Sequence, residues 1–360
     1  MGKRLPNGKR TATLTLVLLA TVGCAQRAHH YSNSTANPQA NHELRFGLMT
    51  PTDGARYEDI VRAWREAETL GWDSAWLNDH FMPVFGDPDR NQYEAWTLLA
   101  ALATQTERIR IGVLVTGNTY RNPALLAKMA ATVDEISRGR LDLGIGAGWY
   151  RKEHFAYGFH FGTERERAER LAEALQVLNL LWGEKHPTFR GKYYTLYQAP
   201  FAPRGVQSPR VPIIVGGQGK KRIVPLVARY ADGWNAPVQT DAKGFAERVE
   251  LIRRECQRIG RHDCPKRFSK MFALVTISRV PLVGPAVRTG ARLLPQVDAA
   301  TAWHLLAGSP ADIAEQIAPF VRAGCNEVIV SFLPPFDSET IRAFTTEVIP
   351  RVRALQAPPT

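Results

Sequence analysis

The 360-residue chain is predicted to fold as an α/β protein, a (β/α)8 barrel with insertions on its C-terminal face. Three observations carry this expectation. Short apolar runs alternate with segments of helical periodicity eight times between Glu43 and Leu355. A doubly wound sheet usually has only about five to seven strands. Composition, 44% hydrophobic and 22% charged, is ordinary for a globular chain long enough for one large domain.

The elements follow in order. Leu44 to Met49 reads as a buried strand, and Ile60, Trp64, Ala67 and Leu70 mark the helix after it. Ser74 to Leu77 is the second strand, followed by a helix from about Glu94. Ile109 to Val115 is the most strand-like run, and Leu126, Met129, Val133 and Ile136 give the next helix one apolar face. Arg140 to Gly146 is the fourth strand, with Leu171, Leu175, Leu178 and Trp182 on the helix beyond. The period then breaks: Thr188 to Leu196 reads as a hairpin around Gly191, and Tyr197 to Pro212 carries four prolines that exclude regular helix. Alternation resumes with strands at Val211 to Val215, Asp232 to Asn235, Met271 to Ile277 and Asn326 to Phe332. Helices are expected near Lys221 to Tyr230, Phe245 to Ile259, Pro310 to Ala323 and Ser338 to Leu355. The insertions, about 183–210 and 279–308, follow strands four and seven, which places them over the face where barrel enzymes keep their active sites.

Residues 1–42 differ from the domain expected over 43–360. Lys3, Arg4, Lys9 and Arg10 precede thirteen mostly apolar residues and then Cys24 and a polar stretch. This describes a secretory signal better than a membrane span, which needs about 20 apolar residues. Thr21-Val22-Gly23-Cys24 resembles a bacterial lipoprotein box, with Thr21 in place of the usual aliphatic residue, so a lipid anchor at Cys24 stands beside a cytoplasmic enzyme with a spurious leader. The leader offers only Lys3-Arg4 and Lys9-Arg10, not a twin-arginine pair, and this tilts the expectation toward the cytoplasm. The four cysteines are too few and scattered for a disulfide framework, none forms a C-x-x-C pair, and no structural metal site is expected.

Net charge is +12, and the excess is concentrated. Gly205 to Arg229 holds five bases and no acid, and Arg253 to Lys270 holds seven against Glu255 and Asp263. Such stretches attract anions, and without a nucleic-acid motif among them a phosphorylated small molecule is expected rather than nucleic acid.

The residues that could carry chemistry sit at strand ends. After strand two comes Asn78-Asp79-His80-Phe81: a histidine there can exchange a proton near neutral pH, and the adjacent Asp79 can fix its tautomer or raise its basicity. After strand three, Thr116, Gly117, Asn118, Thr119, Tyr120 and Arg121 crowd hydroxyl, amide, phenol and guanidinium groups suited to the edge of a heteroaromatic ring, while Asn122 and Pro123 open a helix. After strand four, Gly144, Gly146 and Gly148 approach the dinucleotide fingerprint, but its third glycine would fall at Trp149. After strand five, Gly216, Gly217, Gln218 and Gly219 lead through Lys220, Lys221 and Arg222 into a helix, a phosphate-site pattern without the ending of a Walker loop.

Together these stretches resemble the bacterial luciferase-like flavin monooxygenase superfamily, and within it the coenzyme F420-dependent oxidoreductases. The resemblance spans about Glu43 to Leu355 and is most specific from Gly112 to Gly158. It implies a barrel of the luciferase-like type with a flavin or 5-deazaflavin ring in its mouth, and His80 beside that ring in proton transfer or substrate binding. It also implies a strand-three bulge around Val115 to Gly117, often with a non-prolyl cis peptide, backing the ring. Gly146, Ala147, Gly148, Trp149 and Gly216 to Gly219 would wrap the phosphate-bearing chain. In the sugar-phosphate dehydrogenases of this branch a glutamate serves as acid where Trp149 stands here, so that mechanism lacks its acid. The expected activity is F420-dependent hydride transfer to or from a small organic substrate. An FMN-dependent monooxygenase and a non-catalytic cofactor-binding envelope lipoprotein are the alternatives. Relatives are commonly homodimers.

Overall fold

The computed structural model describes residues 44–84, 86–278 and 305–355. The leader with Cys24, and most of the second insertion, lie outside the described residues. Eight parallel strands close a barrel in sequence order: β1 (Arg45–Met49), β2 (Ser74–Leu77), β3 (Arg110–Gly117), β4 (Leu141–Gly146), β5 (Ile213–Gly216), β6 (Gly233–Ala236), β7 (Arg267–Phe272) and β8 (Glu327–Ser331). The expected barrel is therefore present. Around it run α1 (Tyr57–Thr69), α2 (Ala95–Leu102), α3 (Pro123–Ser137), α4 (Arg151–Ala156), α5 (Glu164–Gly183), α6 (Ile223–Tyr230), α7 (Ala242–Arg258) and α8 (Pro310–Arg322). The chain closes with α9 (Ser338–Ala343), a π-helical turn over Phe344–Val348, and α10 (Ile349–Ala354).

Local sequence explains several boundaries. Asn122 caps α3 by accepting from the Ala124 amide at 2.8 Å, with Pro123 in the first turn, as its sequence suggests. Ser309 and Asp312 form a reciprocal capping box on α8. The single helix expected over Ser338 to Leu355 is interrupted by the π turn just ahead of Pro350, which has no amide hydrogen to donate to the preceding turn.

Strand seven is displaced from its expected position. The run Met271 to Ile277 is split: Met271 and Phe272 end β7, whereas Leu274–Ile277 pairs in parallel with Leu305–Gly308 in a separate two-stranded sheet. The start of β7 is polar, and its polar side chains are buried with partners, so an apolar run does not mark it. Lys270 is fully buried, donating to the carbonyls of Pro237 and Val238 at 2.9 Å each, with the rings of Phe320 and Phe272 beside its ammonium. Burial pushes this ammonium down to about 7. An unfolded lysine titrates near 10.4, so between about pH 7 and pH 10 the unfolded chain holds a proton that the fold does not. Folding stability is therefore expected to rise with pH across that window, by on the order of 1 kcal/mol per unit. Urea unfolding at several pH values checks this, and the rise should be absent in Lys270→Met.

A second difference concerns cysteine. Cys256 and Cys264 are disulfide-bonded, eight residues apart, because the chain reverses after α7 and brings their Cα atoms to 5.8 Å. Cys325 is free and buried.

The barrel interior is layered. Met49, Trp76, Leu114, Ile214 and Ile329 form an apolar plug, with Val115 and Met271 packed against it. Toward the N-terminal ends of the strands lies a buried ionic cluster in which Arg267 pairs with Asp142 and Glu327, while Arg110 also binds Asp142. The hairpin Phe189–Arg190 with Thr195–Leu196 is as expected from its sequence. The chain after it does not stay over the C-terminal face: the Gln207 side chain reaches Leu141 and Arg110, at the opposite end of the barrel.

Candidate functional site at the barrel mouth

Strand β3 shapes the floor of the mouth. Between Val113 and Thr116 it carries one residue more than β4, a bulge at the place the family resemblance implies, and the Leu114–Val115 peptide is cis, one residue before the expected stretch. The bulge turns Val115 into the mouth, where it meets the glycines of two neighbouring strands. A Cβ on Gly146 would lie 2.8 Å from Val115 Cγ2, and one on Gly216 would lie 2.9 Å from Cγ1. These glycines therefore make room for Val115, in addition to the cofactor contacts expected of them. Gly146→Ala should cost about 1–3 kcal/mol of stability through overpacking. Adding Val115→Ala should restore most of it, a coupling readable by a double-mutant cycle in urea.

His80 lies at the rim, largely buried, its Nδ1 3.2 Å from Glu153 Oε1. Trp149 and Tyr150 set their rings edge-on to it at 5.6 and 5.7 Å. Its Nε2 has no hydrogen-bond partner among the described residues. Glu153, fully buried on α4, also accepts from the Tyr120 hydroxyl and from the amides of Phe81 and Met82. Burial pushes the Glu153 carboxyl up, but the hydrogen bonds from His80, Tyr120 and Phe81 outweigh it and hold it below the ordinary carboxylate value. Burial and the same carboxylate raise the Tyr120 phenol.

Asp79 does something different from its expected role. Its carboxylate accepts from the Gly117 amide at 2.9 Å and from both terminal nitrogens of Arg121 at 2.7 and 2.9 Å, so it clamps the end of β3 rather than His80. Thr116 also faces away from the mouth, its hydroxyl accepting from the Trp96 indole at 3.0 Å. Asn118 is nearly fully buried; its amide donates to the Tyr194 hydroxyl on the hairpin at 3.3 Å, while Oδ1 has no partner among the described residues. An unpaired buried acceptor costs about 1–3 kcal/mol, which an N–H group of a bound ring would remove.

The remaining glycine segments line the rim. Gly148 has φ +81°, its carbonyl accepts from Arg167, and Ala147 beside it is half-buried. Trp149 is 61% exposed. Past β5, the carbonyls of Gly217, Gln218 and Gly219 accept from Trp234, Arg248 and the amides of Ile223 and Val224, and Gln218 and Gly219 are exposed. The basic run is mostly engaged internally: Lys220 pairs with Glu247, Arg210 with Asp232, Arg258 with Glu255, and Arg261 with Asp263. Lys221 and Arg222 remain exposed at the end of β5. Of the bases in these stretches, Arg229, Arg253 and Lys266 are likewise exposed, away from the strand end.

Sequence reasoning missed Glu153. Its signal was a glutamate one helical turn after Trp149, on the short helix that follows the glycine strand end. It also left unread His154, whose Nδ1 and Nε2 lie 2.7 Å from the Tyr150 carbonyl and the Thr119 hydroxyl; burial lowers this imidazole, which ties α4 to the β3 loop.

A closed parallel barrel with a histidine–carboxylate pair at its C-terminal mouth defines a barrel enzyme. A family model described as luciferase-like monooxygenase matches residues 42–279, and the chain belongs to that family and is an oxidoreductase. It is 31% identical to an F420-dependent glucose-6-phosphate dehydrogenase of Nocardia farcinica over 345 residues, covering 87% of this chain and 99% of the relative. It is 30% identical to an F420-dependent hydroxymycolic acid dehydrogenase of Mycobacterium tuberculosis over 264 residues, covering 70% of this chain and 68% of the relative. Among solved structures, an F420-dependent secondary alcohol dehydrogenase in complex with an F420–acetone adduct superposes with a TM-score of 0.74 at 23% identity, over 86% of this chain and 99% of that one. Among the described residues no helix is long and apolar enough to cross a membrane, and no group of three His, Cys, Asp or Glu is placed to hold a metal.

Proposed function

We propose that the protein is an F420-dependent oxidoreductase that moves hydride between the deazaflavin and an alcohol or its carbonyl product, with His80 exchanging the accompanying proton. The observation that carries this reading is a rim histidine with one nitrogen held by a buried carboxylate and the other without a partner among the described residues. The names of the relatives, F420-dependent dehydrogenases of glucose 6-phosphate and of hydroxymycolic acid, support it.

Bound F420 supplies a ring carbon that accepts or donates hydride. Val115, Asn118, Gly146 to Trp149 and Gly216 to Gly219 are the residues that would hold it. Lys221 and Arg222 would favour its phosphodiester and glutamate tail. Thr116 and Asp79 contribute by fixing the β3 end. In alcohol oxidation the C–H bond breaks with its electron pair leaving as hydride, and the hydroxyl proton passes to His80; reduction of the carbonyl reverses both transfers. Trp149 and Tyr150 cover His80 and keep water from it.

Anaerobic bleaching of F420 on addition of secondary alcohols tests the reading. Oxygen uptake with reduced FMN plus substrate, and no F420 bleaching, would replace it with the monooxygenase alternative. The cytoplasmic form is the reading kept for the leader, with the lipid-anchored form as its alternative. Mass spectrometry of the mature N-terminus at Cys24 distinguishes these, and sedimentation tests the homodimer that the family resemblance implies.

A further inference from the structure

We infer that Glu153 is a positioning residue that fixes the tautomer of His80, keeping the proton on Nδ1 and leaving Nε2 bare as the base that faces the substrate. Glu153 Oε1 receives His80 Nδ1 and the Tyr120 hydroxyl, and Oε2 receives the amides of Phe81 and Met82. Both backbone amides can only donate, and an ionised carboxylate can only accept. A proton is therefore required at each of the four positions facing Glu153, including Nδ1 of the imidazole. A neutral ring carries one N–H, so Nε2 is left as an acceptor. Tyr120 occupies the second site on Oε1, and its ring packs against Phe81 at 5.0 Å, holding the hydroxyl on the carboxylate.

Glu153 acts through His80 and does not replace the acid that the sequence lacks at Trp149. It does not touch the reacting atoms itself. Its donors come from two elements, the exit loops of β2 and β3, which close around the carboxylate that α4 presents.

The tautomer is a property of the protein without cofactor, whereas its effect on catalysis rests on the oxidoreductase reading. Nitrogen-resolved NMR of histidine-labelled wild-type protein, at mildly alkaline pH without F420, should show His80 protonated at Nδ1 and bare at Nε2. In Glu153→Gln the two backbone amides require the amide oxygen, which turns the amide NH2 toward Nδ1. The ring should then switch to the Nε2–H form. With F420 present, kcat should fall about 10²–10⁴-fold. The F420 dissociation constant should change by less than about threefold, because the changed atoms lie behind the imidazole. A wild-type ring protonated at Nε2, or a Glu153→Gln ring that keeps Nδ1–H, overturns the inference. So does an inverted tautomer with unchanged kcat. If wild-type protein fails to turn over F420, the oxidoreductase reading falls while the NMR result still decides the tautomer, and the wild-type spectrum decides it even if the variant does not fold.

Discussion

His80→Ala is expected to lower kcat with F420 by about 10²–10⁴-fold, the usual loss when a general acid–base is removed. The variant should fold normally, because His80 sits at the rim with one polar contact and Glu153 keeps its bonds from Tyr120, Phe81 and Met82. F420 affinity should be nearly unchanged, since the proposed binding residues lie on β3, β4 and β5. Steady-state kinetics with a matched binding titration separates the two quantities. A non-catalytic cofactor carrier predicts no turnover in wild type and no difference in the variant.

Arg267→Ala is expected to cost about 3–5 kcal/mol of folding stability, the penalty for stripping a buried ion network of one partner. The guanidinium bridges Asp142 and Glu327 in the barrel interior. Without it, Asp142 retains Arg110, and Glu327 retains the Ser74 hydroxyl at 2.9 Å. Burial alone would push both carboxyls up, but the arginines outweigh it and hold Asp142 and Glu327 below their ordinary values. Because their folded values are depressed, the contribution of these carboxylates is complete above about pH 4 and is lost as pH falls through the folded values. Thermal unfolding at neutral and acid pH checks this: the variant should be much less stable at neutral pH, and the gap should narrow on acidification. An Arg267→Ala protein as stable as wild type would show that the cluster is not a barrel staple.

The sequence displayed the strands whose burial is apolar, and so seven of the eight barrel strands stood close to their expected places. Strand β7 escaped because its burial is ionic: Arg267 faces a salt-bridge network, and Lys270 caps two carbonyls, features that no hydropathy pattern shows. The site divides the same way. His80 was legible from its strand-end position, yet its partner was assigned to the neighbour in sequence, Asp79, when the structure supplies Glu153, 73 residues away. Periodicity reports which face a residue presents, but not which distant carboxylate a closed barrel brings to it. The glycines were legible as a demand for space, although the occupant proved to be Val115 from the bulge of the adjacent strand. The Cys256–Cys264 pair escaped because a helix end and reverse turn, not a spacing motif, bring the two together.

The barrel mouth is proposed to take a deazaflavin. The most direct test of this is an equilibrium titration of F420 and of FMN against the same protein, read by quenching of its tryptophan fluorescence, to which the exposed Trp149 beside His80 contributes. F420 should saturate the signal with an affinity at least about tenfold, or roughly 1.4 kcal/mol, tighter than FMN. Tight FMN binding with no response to F420 would contradict the account.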